Sequence, residues 1–297
     1  MFFLGNQETR VSVDQNGKPG TLYVVATPIG NLEDITFRAV RILGEVDLIA
    51  AEDTRHTRKL LSHLSLSKPL VSYYKDREAA RSEKIIEEFR AGRNVALVSD
   101  AGTPAISDPG SVIVALCHEH AIAVVPIPGP SALTTAVSAA GFPQTSFTFL
   151  GFLPAKKNQR AKTLTAHAQD ETLLVFYESP RRVCHTLVEC REVMGERRVF
   201  VGRELTKLHE ELLRGTLSDV LRILQARVQI KGEFVVVVAP QQPNPAVTPP
   251  EELQDLLTWY KNHSGLSMKD AVKKIAADLN LSKSQIYEKA LHVWAKK

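Results

Sequence analysis

Asp100, Gly102 and Thr103 fall inside the short stretch Ser99–Gly110, which follows an apolar strand-like run, Asn94–Val98, and precedes an apolar helical run, Ser111–Leu116. Carboxylate and hydroxyl groups offer hydrogen bonds, and a glycine lets a ligand approach the backbone. A turn of this composition at the carboxyl end of a strand is where open α/β sheets hold ligands. Two more small-residue turns, Thr27–Asp34 and Pro126–Ala132, stand in the same relation to strand-like runs. Each alone reads as an ordinary βα connection. Three in the first half of one chain predict a shared crevice.

Pro28 and Gly30 let the first turn come close to a ligand, and Ile106 supplies an apolar wall. Ser131 and Ala132 open a helix whose free N–H groups favour a carboxylate. Around these turns stand acids able to accept a proton: Asp100 first, then Glu178 and Asp53, with Glu52 beside them. Arg55, Arg58 and Lys59 recur at i, i+3 and i+4 and form one basic helix face. Lys156, Lys157, Arg160 and Lys162 lie between Gly151 and Gln169 with no acid among them, and Arg181 and Arg182 follow Glu178. Beside a crevice such charges meet phosphate; elsewhere they are solvated faces. Tyr73, Tyr74 and Tyr177 are the aromatic groups available to stack on a base, against the commoner reading of core tyrosines.

The elements that must position these residues follow from hydrophobic periodicity. Strands are expected at 21–26, 48–51, 70–73, 95–99 and 123–125, and helices at 35–43, 54–63, 79–90, 111–120 and 131–140. That alternation specifies βαβ units and a parallel sheet over 21–140. Strands at 146–152, 172–177, 198–201, 212–215 and 233–239, with fewer helices between them, predict a second domain over 141–240 with antiparallel pairing. Val235–Val238 is a continuous β-branched run, expected of a strand buried on both faces. Residues 1–20 read as a loose tail. Residues 241–250, with prolines at 243, 245, 249 and 250 after Pro240, read as a stiff linker. A helical module follows over 251–297, with helices at 251–260, 268–279 and 283–295. Ser267 and Ser282 are its caps, Asn280-Leu281 its turn, and Ala271, Ile275, Ala276 and Leu279 an apolar stripe. The last two helices have helix-turn-helix spacing, with Lys283, Ser284 and Gln285 opening the second.

Composition narrows the function classes. The chain has 297 residues, 44% hydrophobic and 24% charged, with net charge +4. No apolar run approaches the length of a membrane helix, and the opening Met1–Glu8 lacks a cationic leader and long apolar stretch. Cys117, Cys184 and Cys190 form no CxxC pair, so reduced structural thiols and a cytoplasmic setting are expected. No G-x-G, P-loop, H-E-x-x-H or G-x-S-x-G motif occurs. His118 and His120, two apart, read as surface residues, and no bound metal is expected.

Tyr23–Thr36, Ala51–Arg55, Ser99–Gly110, Pro128–Ala132 and Phe176–Arg182, in this order, resemble the tetrapyrrole-methylase superfamily, and within it the ribosomal-RNA branch. The resemblance covers roughly 21–240, and the helical module also fits that branch. It implies an α/β two-domain fold, with a parallel-sheet N-terminal domain, a mixed-sheet second domain and S-adenosylmethionine in the cleft between them. It further implies 2′-O-methylation of a cytidine in the decoding region of 16S rRNA within the small ribosomal subunit, and a homodimer. By position, Pro28, Ala101, Gly102, Thr103, Ile106, Ser131, Ala132, Glu178 and Leu205 match cofactor contacts, as do Glu233 and Phe234. Gly30, Asp100 and Tyr177 join them as neighbours. Tetrapyrrole-modifying relatives often carry an apolar residue where Glu178 stands, which points to a different acceptor. Two other readings are a corrinoid or porphyrin-type methyltransferase on the same fold, and a non-enzymatic regulator working through the helical module. The absence of Arg in 251–297 weighs against the last.

Overall fold

Short β-branched runs and amphipathic segments alternate from the first described residues onward. The structure, a computed structural model, describes residues 19–143, 146–240, 253–279 and 282–295. The expected tail up to residue 18, the segment 241–250 and the Asn280-Leu281 turn lie outside the described residues.

The first lobe runs β1 (Leu22–Val25), α1 (Phe37–Glu45), β2 (Leu48–Ala51), α2 (Thr54–His63), β3 (Leu70–Ser72), α3 (Glu78–Arg90), β4 (Val95–Val98), α4 (Ser111–Glu119), β5 (Val124–Ile127) and α5 (Ala132–Ala140). The strands form one parallel sheet in the order β3-β2-β4-β1-β5. Val95–Val98 is buried throughout because β4 is the middle strand with helices on both faces. Two apolar clusters cover those faces, one around Phe89, Leu97 and Ile113, the other around Leu43, Ile49 and Ala96. The carboxyl ends of β4, β1 and β5 therefore lie side by side, with β2 next to β4. Thr27, just past β1, and Gly102, in the turn after β4, exchange both backbone hydrogen bonds at 2.9 and 3.0 Å.

The second lobe runs β6 (Phe147–Phe152), α6 (Lys157–Ala166), β7 (Leu173–Glu178), α7 (Val183–Met194), β8 (Arg198–Arg203), β9 (Glu211–Thr216), α8 (Leu217–Gln225) and β10 (Phe234–Val238). Its sheet has the order β6-β7-β10-β8-β9. Only β6–β7, joined through a helix, is parallel; β10 is antiparallel to both neighbours and β8 to β9. The Val235–Val238 run is central and fully buried, as expected. α5 belongs to the first lobe by sequence position, but its apolar face packs on this sheet, with Leu133 and Ala136 among Val175, Phe200 and Val237. It ties the lobes into one body.

Residues 253–295 form a separate helical unit of α9 (Leu253–His263), α10 (Met268–Asp278) and α11 (Lys283–Ala295). Leu257, Tyr260, Ile275, Ile286 and Ala290 make its core. Ser267 caps α10 by accepting from the Asp270 N–H at 3.2 Å. The expected stripe holds for Ala271, Ile275 and Ala276. Leu279 lies beyond the helix end and is exposed, while Val272 is buried.

Candidate active site

Two adjoining cavities open where the strand-end turns of the first lobe face the second. The first, of about 420 Å³, has a floor made by Asp100, Ala101, Gly102, Thr103 and Ile106, with Ser131 and Ala132 at the start of α5. Its opposite wall comes from the second lobe, from Tyr177 and Glu178, from Leu205, and from Glu233 and Phe234. Its size is that of sites for nucleoside-sized ligands. Pro28 and Gly30, expected beside the same ligand, line the second cavity instead, of about 400 Å³. The reason is steric: Gly30 is pressed on the other lobe, and a Cβ there would fall 2.3 Å from Lys207 Cγ and 3.0 Å from the Leu205 carbonyl oxygen. Asp100, Ala101, Ile29 and Glu233 border both cavities.

The cleft turns hold unusual backbone. Gly102 has φ +79°, and among the described residues three non-glycines at the cleft, Ala105, Glu204 and Thr206, have φ of 65°, 51° and 67°. Hydrogen bonds fix them. Thr206 Oγ1 accepts from the Asn31 N–H at 3.1 Å, linking the lobes, and Thr103 Oγ1 donates to the Pro130 carbonyl. Lys207 Nζ donates to Glu204 at 2.9 Å and to Glu233 at 3.0 Å, so the exposed Glu233 carboxylate is held at the rim.

The electrostatics of the first cavity suit a cation. Glu52 and Asp108 both line it, and burial pushes both carboxyls up from their ordinary values, with neighbouring acids adding to the rise. A positively charged ligand relieves that repulsion. Ile106, Leu205, Phe234 and the half-buried Tyr177, which meets Phe152 edge-on at 5.5 Å, supply apolar walls. Ser107, Asp108, Phe152, Ser179, Pro180, Gly232 and Val235 also line this space and were not anticipated. Ser107 and Asp108 belong to the Ser99–Gly110 turn; Phe152 and Gly232 carry no signal of their own in the sequence.

The acids expected to take a proton differ in availability. Glu178 is buried, and its oxygens accept from the Ser179 N–H at 2.7 Å, Arg182 Nε at 2.8 Å and Thr186 Oγ1 at 2.7 Å. So satisfied, it shapes the end of β7 and is not a free base. Asp53 caps α2 through the Arg55 N–H and pairs side-on with the Arg55 guanidinium, which holds its carboxyl well below the usual range. Asp100 is exposed, accepts from the Asp53 N–H at 3.0 Å and stands at the junction of the two cavities.

The basic residues divide likewise. Arg58, Lys59, Lys156, Lys157 and Arg181 are exposed, and Lys59 lines the second cavity. Arg55 is exposed but engaged with Asp53. Arg160 is no phosphate contact: it is 6% exposed, forks onto Glu189 at 2.6 and 2.8 Å, and donates to the carbonyls of Pro154 and Ala155 at 3.0 Å. Arg182 is also turned inward, to Glu178 and the Leu153 carbonyl. Together these two guanidiniums bind three consecutive carbonyls of the loop that follows Phe152. Tyr73 is core, its hydroxyl 2.8 Å from Ser82 Oγ and pushed up to about 12 by burial, whereas Tyr74 is at the surface. Cys117 and Cys190 are buried free thiols, pushed up to about 12 by burial, and Cys184 is free and half-buried. No helix among the described residues is long and apolar enough to cross a membrane.

A family model described as Tetrapyrrole (Corrin/Porphyrin) Methylases matches residues 21–221. A ribosomal RNA small subunit methyltransferase I from Halalkalibacterium halodurans is 44% identical over 291 residues, 94% of this chain and 98% of that one. The protein of that name from Bacillus subtilis is 44% identical over 94% of this chain and 97% of its own. The one from Thermotoga maritima is 46% identical over 98% of its own length but only 74% of this chain. Among solved structures, a uroporphyrin-III C-methyltransferase from Thermus thermophilus complexed with S-adenyl homocysteine superposes with a TM-score of 0.55. It is 17% identical and covers 74% of this chain and 97% of its own, a likeness of fold.

Proposed function

Because the chain belongs to the tetrapyrrole methylase family, and within it to the ribosomal RNA small subunit methyltransferase I group, we propose that it methylates the 2′-hydroxyl of a cytidine ribose in the decoding region of 16S rRNA. S-adenosylmethionine, when bound, supplies a methyl group activated by positive sulfur. The observation carrying this reading is the donor-sized cavity, acidic and apolar by turns, opening onto a second cavity edged by Lys59. In the first, Ile106, Leu205 and Phe234 would enclose the adenine, the N–H groups opening α5 would take the carboxylate, and Glu52 and Asp108 would balance the cation. In the second, Ile29 and Leu60 would hold the flipped nucleoside while Arg58, Lys59 and Arg181 meet flanking phosphates. Holding two reactants in line contributes ~7–11 kcal/mol to such displacements, so positioning carries most of the work.

The acceptor is RNA and not a flat tetrapyrrole because relatives of this name match over more than nine-tenths of the chain, through both lobes and into the helical module. The Thermotoga maritima relative, which aligns over nearly its whole length with only 74% of this chain, supports placing the chemistry in residues 21–240 and an accessory role in 251–297. A homodimer acting on the small subunit in the cytoplasm completes the reading. Radiolabelled methyl donor is to be offered with naked 16S rRNA, assembled small subunits and a porphyrinogen mixture in separate reactions. Label in either RNA arm, resistant to alkaline cleavage at one cytidine, is expected; label in the porphyrinogen arm alone overturns the assignment.

A further inference from the structure

The acids at the strand-end turns are largely committed elsewhere, yet a hydroxyl entering from the second cavity must lose a proton. His56 lies there, in the first turn of α2, exposed and lining that cavity. A ring nitrogen of His56, a carboxylate oxygen of Asp53 and one of Asp100 lie within 4.8 Å of one another. Three points so spaced share a centre no more than about 2.8 Å from each, so a hydroxyl there is within hydrogen-bond reach of the His56 nitrogen, to which it can donate its one proton, with the two carboxylates beside it. Asp100 also borders the first cavity.

Resting on the methyl-transfer reading, we propose that His56 accepts the proton of the acceptor hydroxyl, flanked by Asp100 and Asp53, which stabilise its charged form. As the oxygen–carbon bond forms, the carbon–sulfur bond breaks and its electron pair stays on sulfur. The hydroxyl proton passes to the His56 ring nitrogen and from there to water in the open cavity. An imidazole suits the task because its unprotonated ring nitrogen carries a lone pair able to accept the proton. Asp53, held ionised by Arg55, binds protons too weakly. The charged groups facing the imidazole are Asp53, Arg55 and Lys59 from its own helix, Asp100 from the β4 turn with Glu52 behind it, and Lys207 and Glu233 from the second lobe. Lys207 is already shared between Glu204 and Glu233, so the uncommitted balance at the ring is negative.

The test compares wild type with His56→Gln and His56→Ala in single-turnover methylation of small-subunit RNA, with donor affinity measured by calorimetry. The expected result is a rate lower by roughly 100-fold or more in both variants, with donor Kd and RNA KM within about threefold of wild type, since a positioned base acts on the chemical step and not on binding. Free imidazole restores part of the His56→Ala rate. A His56→Gln rate within about threefold of wild type, or a His56→Ala rate that free imidazole leaves unchanged, overturns the proposal. So does wild-type activity abolished by EDTA and restored by Mn²⁺, which would make the three residues a cation site. Wild-type enzyme that labels no RNA would instead sink the underlying reading, and this proposal with it.

Discussion

Arg160→Leu should unfold the body of the protein more readily without touching any surface that meets RNA. The guanidinium is almost wholly buried and forks onto Glu189, itself buried, so the substitution strands a carboxylate in the apolar second lobe. It also frees the carbonyls of Pro154 and Ala155. Breaking one side of such a pair costs roughly 3–5 kcal/mol, which in a domain of this size lowers Tm by roughly 6–20 °C. Arg160→Leu/Glu189→Leu should recover most of the loss, because the stranded charge goes too. The pH dependence supplies a sign. Arg160 depresses the Glu189 carboxyl, so the pair stabilises above the ordinary carboxylate range and loses that contribution as pH falls through the folded value. The single variant's deficit is therefore largest near neutrality and shrinks in acid, as Glu189 protonates in the variant. Calorimetric melts of wild type, both singles and the double at pH 7.5 and pH 5 measure all four quantities. A single variant as stable as wild type but impaired in RNA binding would refute the burial argument and return Arg160 to the phosphate-binding set.

Asp108→Asn should weaken binding of the sulfonium donor by up to about tenfold, ~1.4 kcal/mol, while leaving the uncharged thioether product nearly unaffected; equal losses for both ligands in calorimetry would refute a charge role. Because burial raises Glu52 and Asp108, their contribution is present at low pH and lost as pH rises through the raised values, so Glu52→Gln and Asp108→Asn should gain most over wild type at pH 8 and least at pH 4. A gain independent of pH in ligand-free melts would contradict this. Gly102→Ala forces a side chain into φ +79° and sets a Cβ 3.3 Å from Ile29 Cγ2, costing roughly 1–2 kcal/mol and blunting donor affinity; an unchanged Tm would show the turn to be relaxed. Arg58→Glu with Lys59→Glu should leave donor binding intact and make RNA binding less sensitive to salt, the slope falling by roughly 0.7–0.9 for each phosphate no longer neutralised. An identical slope in filter binding would remove that helix face from the interface.

Local pattern carried most of the fold. The strands are where period and β-branching put them, because each strand here is short and its neighbours are turns or helices with clear caps such as Thr36 and Thr216. The cleft floor at Asp100–Ile106 was legible for the same reason: it is a strand-end turn, and strand ends of a parallel sheet converge. The misplacements are all non-local. Arg160 and Arg182 stand in sequence as surface charge, and only the partners Glu189 and Glu178, brought by α7 and β7, turn them inward. His56 gave no signal because Asp100 reaches it through the pairing of β2 with β4, which no spacing along the chain encodes. Gly30 was expected to approach a ligand, and its missing side chain instead admits Lys207.

The paired exchange between Thr27 and Gly102 makes a rung of two turns that are 75 positions apart. Neither can be lengthened or shortened by a residue without breaking the other's support, so the donor cradle is closed to variation by insertion. Any retuning of this scaffold toward a different acceptor must then be written on the opposite bank, in the side chains around Phe152, Leu205 and Gly232.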